Sequence, residues 1–68
     1  MFAIYREQDR TVKIYSHSGR WEIVDTNGLF EWVEFKYPNK MSSLESALRG
    51  FIGSGFDKQR LEILENKG

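Results

Sequence analysis

The stretch RWEIVDTNGLFEWVEFKY, Arg20 to Tyr37, decides the fold, together with SSLESALRGFI, Ser42 to Ile52, which follows it. The first alternates apolar and polar residues with a period of two, as half-buried strands do. The second places Leu44, Ala47, Leu48, Phe51 and Ile52 at i, i+3, i+4, i+7 and i+8, the stripe of a surface helix. The period-two reading extends back to Phe2. Its strands fall at roughly residues 2–6, 11–16 and 20–25, with a fourth ending before Pro38, which lacks a ladder donor. Glu7-Gln8-Asp9-Arg10 and His17-Ser18-Gly19 supply the first two turns.

Asp25-Thr26-Asn27-Gly28 is the strongest hairpin signal, and it allows two registers. A two-residue Asn27-Gly28 turn sets Val24 opposite Glu31. A type I turn with Gly28 as the bulge residue shifts the pairing by one. Asp at the first turn position and Gly at the fourth favour the bulge. That register gathers Trp21, Ile23, Leu29, Val33, Phe35 and Tyr37 on one face. It sets Val24, Phe30 and Trp32 on the other, beside Glu22, Glu34 and Lys36.

Ser42-Ser43-Leu44-Glu45 fits a capping box, with Ser42 as N-cap, and Gly53-Ser54-Gly55 stops the helix. Gly50 inside the helix suggests close approach to the sheet. Residues 57–66 read either as a strand around Arg60–Leu64 or as a short helix, and the strand is preferred. The predicted fold is therefore α+β: a four-stranded antiparallel meander, one helix packed on one sheet face, and a short C-terminal strand, ββββαβ. The expected core is Trp21, Ile23, Leu29, Val33, Phe35, Leu44, Leu48, Phe51 and Ile52, with either Ile4 or Tyr5.

Sixty-eight residues make one small domain, 1–68, whose own core is marginal. There is no cysteine and a single histidine, which argues against a disulfide, a thiolate metal site or a histidine zinc site. No cofactor or metal is expected. The lack of cysteine suits a reducing compartment, here the cytoplasm. The apolar run Met1–Tyr5 is too short for a signal-peptide core or a membrane span. Ten basic and ten acidic residues cancel, so no long-range field steers the chain to nucleic acid or membrane.

No arrangement points to catalysis. His17 lies between Ser16 and Ser18 in a turn, where no shielded triad can assemble. The glycines at 50, 53 and 55 follow a helix, whereas phosphate loops precede one. Glu31 and Glu34 are three apart on a strand and face opposite sides. An enzyme is not expected.

What stands out is the aromatic surplus, with eight of ten rings before residue 38. Val24, Phe30 and Trp32 form a patch on the helix-free face. A protein contact, a homodimer first, is the commonest use of such a patch. The second use is a stacking platform for single-stranded DNA or RNA. Tyr5, Tyr15, Phe30 and Trp32 would supply rings, and Arg6, Lys13, Arg20 and Lys36 phosphate contacts. The neutral charge weighs against it.

Overall fold

A computed structural model describes residues 1–64. Its strands are β1 (Ala3–Glu7), β2 (Arg10–His17), β3 (Arg20–Asp25), β4 (Phe30–Glu34) and β5 (Leu61–Ile63), with one helix, α1 (Lys40–Ile52), between β4 and β5. A short 3-10 turn at Lys58–Arg60 leads into β5. The five strands form one antiparallel sheet in the order β4-β3-β2-β1-β5. The ββββαβ α+β order expected from the sequence is the observed one. The segment read as strand or helix is a strand over Leu61–Ile63, while residues 65 and 66 of that reading lie outside the described residues.

The meander follows its turn chemistry. Gly19 closes the β2–β3 turn at φ 77°, in the left-handed region that favours glycine. At the next turn the Gly28 N–H donates to the Asp25 carbonyl at 2.9 Å, and the Asp25 N–H donates to the Leu29 carbonyl at 2.8 Å. Gly28 sits at φ 93°. This is the type I turn with a glycine bulge, so Val24 pairs with Phe30 and Glu22 with Trp32.

The core lies between α1 and one sheet face. Leu44, Ala47 and Leu48 of α1 bury against Tyr5, Val12, Ile14, Trp21 and Ile23. The helix covers only part of the sheet. Five strands at about 4.8 Å spacing span roughly 19 Å, whereas a helix with its side chains is about 10–12 Å across. The edge carrying β4 is left open, and this corrects the expected core. Leu29 is 60% exposed, beyond the reach of α1, and Val33, Phe35, Phe51 and Ile52 are only partly buried at its margin. Tyr37, placed on the same face by alternation, is also exposed. That face is not continuously apolar, because Glu31 stands opposite Ile23.

The helix begins three residues before the expected start. Asn39, not Ser42, is the N-cap, its side-chain oxygen accepting the Ser42 N–H at 3.0 Å. Ser43 is buried and clamps the preceding chain: its Oγ accepts the Tyr37 N–H at 2.9 Å and donates to the Tyr37 carbonyl at 2.8 Å. Gly53 ends the helix at φ 95°, its N–H donating to the Arg49 carbonyl. Gly50 does not mediate close approach, since a Cβ built there meets nothing within 4 Å.

The β1 strand lies between β2 and β5, so both its edges are paired. Ile4 and Tyr5 are both buried, not one of the two. On the core side Tyr5 stacks on Phe56 with ring centroids 5.4 Å apart, and its hydroxyl accepts the Asp57 N–H at 2.9 Å. Trp21 packs between Phe2 and Phe35, at 5.2 and 4.6 Å, and its Nε1–H has no hydrogen-bond partner among the described residues.

Asp25 is the one fully buried carboxylate of the turn. Its Oδ1 accepts the Asn27 N–H at 3.0 Å, and its Oδ2 accepts from Arg10 Nη1 at 3.1 Å. Arg10 Nε also donates to Glu7 at 2.6 Å. The hydrogen bond that Arg10 donates to Glu7 is the main reason the Arg10 pKa lies above its ordinary value, with the charges of Glu7 and Asp25 adding to it against the cost of burial.

Candidate protein-interaction surface

The pairing register determines what faces away from α1. One row runs Phe30–Val24–Lys13–Ile4–Glu62 across all five strands. The next row runs Trp32–Glu22–Tyr15, and a third Glu34–Arg20–His17. Val24, Phe30, Trp32, Lys13, Tyr15 and Arg20 therefore share the helix-free face. Two of the sequence-nominated residues do not. Tyr5 is removed as a stacking ring, because it points into the core with no exposed surface and its hydroxyl is engaged. Lys36 lies past the end of β4 and lines a cleft between β4 and α1.

The aromatic residues form a cluster rather than isolated rings. Trp32 contacts Phe30 edge-on, with centroids 5.8 Å apart at 86°. The His17 ring lies 4.9 Å away. The Arg20 guanidinium sits 4.4 Å from the Trp32 ring centroid, within cation–π range. Despite these neighbours Phe30 and Trp32 remain 52% and 43% exposed. Both belong to β4, an edge strand of the sheet among the described residues, and Leu29 adds apolar surface at its start. Val24 on β3 is partly buried beside Phe30.

The charges around the cluster are mixed. Arg6 bonds Glu62 across β1 and β5. His17 Nε2 lies 2.8 Å from Glu22 Oε1. Lys13, Arg20 and Glu34 make no ion pair among the described residues, although Arg20 and Glu34 are cross-strand partners. Arg20 is held over the Trp32 ring instead. The face thus combines an apolar centre with charges of both signs, the composition of a protein contact with a polar rim.

On the opposite side of β4, a cleft of about 440 Å³ separates the strand from α1. Val33, Phe35, Ala47 and Phe51 give it an apolar floor, and Glu31, Glu34 and Lys36 also line it. Sequence reasoning did not find this cleft. Its signal was the run of small residues Ser43, Ser46, Ala47 and Gly50 along one side of the helix, with Glu31 on the inner side of the strand. Among the described residues no group of three or more acidic or histidine side chains is arranged to hold a metal ion. Among the same residues no helix is long and apolar enough to cross a membrane. No protein-family model, curated protein or solved structure matches this chain.

Proposed function

We propose that this protein is a non-catalytic interaction module that self-associates as a two-fold homodimer through the β3–β4 end of its helix-free face. One observation carries the reading: Phe30 and Trp32 stand about half exposed on an edge strand, with Val24 and Leu29 beside them. Large rings left in water are a loss that burial against a partner recovers, at about 25 cal/mol per Å² of apolar area. The zero net charge removes the repulsion that would keep copies apart. A two-fold contact also lets charges of both signs on one copy meet their opposites on the other, Arg20 and Lys13 against Glu34 and Glu22. A small core that is marginal alone gains stability from the same contact.

Stacking of single-stranded nucleic acid is the weaker use of this face. Tyr15, Trp32, Lys13 and Arg20 do lie on it together. Glu22 sits directly between Tyr15 and Trp32, and Glu34 follows on the same strand. A strand stacked on those rings would carry its phosphates past carboxylates.

The test is the thermal unfolding midpoint as a function of protein concentration. A dimer gives a midpoint that rises with concentration, and Trp32→Glu abolishes the rise. A midpoint independent of concentration in the parent protein refutes self-association. A rise that survives in Trp32→Glu refutes this face as the contact. Titration with a short oligothymidine at low salt separates the second use, which requires quenching of Trp32 fluorescence that salt reverses.

A further inference from the structure

The outer edge of β4, with the cleft beneath it, is a second surface that the homodimer does not use. Two hydrogen bonds set the phase of the ladder. The Asp25 N–H donates to the Leu29 carbonyl, and the Phe35 N–H donates to the Gly19 carbonyl. Backbone groups alternate in direction along an antiparallel strand. Leu29, Glu31, Val33 and Phe35 therefore turn theirs toward β3. Phe30, Trp32 and Glu34 turn their N–H and carbonyl groups outward, and among the described residues β4 has no strand on that side. Below this edge the cleft presents Val33, Phe35, Ala47 and Phe51 to any side chain pointing toward α1.

The charges select what can sit there. Lys36 lines the cleft past the end of the strand. Glu31 and Glu34 flank this edge, Glu31 with its side chain on the inner side over the cleft and Glu34 with its side chain on the outer side. Neither carboxylate makes an ion pair among the described residues. They also bar the strand from pairing with its own copy. A two-fold axis at Glu31 sets Glu31 opposite its mate. An axis at Trp32 sets the two Glu31 side chains on the diagonal, and an axis at Val33 does the same for Glu34. Like charges so placed destabilise a strand pair. The same carboxylates attract a cationic strand, so they discriminate by repulsion as well as attraction.

We infer that the β4 edge binds an extended basic segment of another protein, which adds as a sixth strand. It would bond the outward groups of Phe30, Trp32 and Glu34, place an apolar side chain in the cleft, and set Lys or Arg against Glu31 and Glu34. Glu34 is shared with the proposed dimer, but the outward backbone groups of β4, Glu31 and the cleft are not used by it.

The experiment titrates the parent protein with a dye-labelled peptide, Thr-Val-Lys-Lys-Thr-Val-Thr, capped at both ends, and reads fluorescence anisotropy at low salt. A counterpart with Glu for both Lys, and another N-methylated at alternate residues, serve as controls. The Lys peptide is expected to bind about tenfold or more tighter than the Glu peptide. N-methylation is expected to abolish binding, and the amides of Phe30, Trp32 and Glu34 to exchange more slowly in the complex. Gly50→Leu fills the cleft from a position with open space around it and raises helix propensity. It is expected to weaken the peptide about fivefold or more while keeping or raising the unfolding midpoint. Equal binding of all three peptides, no binding of the Lys peptide at about millimolar concentration, or unchanged binding by Gly50→Leu overturns the inference. Concentration-dependent protection of those three amides without peptide also overturns it, since a second copy would then hold the edge.

Discussion

Replacing Arg10 with Met tests whether the pairing that anchors the β3–β4 turn is a buried one. Asp25 has a fully buried side chain, and Arg10 is 20% exposed. Among the described residues, Arg10→Met removes the one cation in contact with that carboxylate and leaves it the Asn27 N–H. Removing one partner of a buried pair costs about 3–5 kcal/mol. The exposure of Arg10 and the surviving Asn27 bond pull the figure down, to about 2–3 kcal/mol. A surface pair would cost at most about 1 kcal/mol. The whole stability of a chain this size is roughly 3–10 kcal/mol, so the loss is a large share of it. Urea unfolding followed by tryptophan fluorescence at neutral pH reads the difference. Asp25→Asn keeps an acceptor for Asn27 and removes the stranded charge, so adding it to Arg10→Met recovers about 1 kcal/mol or more of the combined loss. The raised pKa of Arg10 sets the pH range. Its contribution is fully present below the ordinary arginine value and is lost only as pH rises through the raised folded value. Titration of Arg10 therefore leaves the penalty constant from about pH 6 to 10. A loss below about 1 kcal/mol with no recovery in the double variant refutes the buried pairing.

Four further substitutions test the local assignments by the same unfolding assay. Asn39→Ala removes the N-cap and is expected to cost about 1 kcal/mol, while Ser42→Ala changes stability by less than about 0.5 kcal/mol; the reverse order would restore Ser42 as the cap. Gly50→Ala is expected to stabilise by up to about 1 kcal/mol, a rise in midpoint of roughly 4–8 °C; a loss would mean the sheet lies closer than the open space at Gly50 indicates. Tyr5→Phe keeps the stack on Phe56 but strands the Asp57 N–H, at about 1–2 kcal/mol; a neutral result would mean that solvent reaches that amide.

The parts of the fold legible in the sequence were those written in local chemistry. Asp25 and Gly28 specify the bulged turn between them, through the Asx contact to Asn27 and the positive φ at 28. That turn places Phe30 and Trp32 on the face away from α1. The helical stripe at Leu44, Ala47 and Leu48 is equally local. Two things were not legible. The first is the choice between competing caps. Asn39 follows Pro38 and wins over Ser42 because the extra turn also lets Ser43 clamp Tyr37. The second is the reach of one helix across five strands. Alternation assigns Leu29, Glu31 and Val33 to the inner face without saying that α1 stops short of β4. The same gap hid the cleft. Tyr5 and Ile4 show the converse: both are buried because β5 returns beside β1, a long-range pairing with no local signature. The nominated patch residues Val24, Phe30 and Trp32 lie together. Tyr5 fails as a surface ring because alternation placed it in the core.

The central claim is that the exposed rings of β4 serve a contact between copies. Molar mass by light scattering, measured across a concentration series for the parent protein and for Trp32→Glu, tests it most directly. The account predicts a parent mass that approaches twice the 8.0 kDa of one chain as concentration rises, and a variant that stays at the single-chain mass throughout. A parent protein that remains a monomer at every concentration, or a variant that dimerises as the parent does, would contradict it.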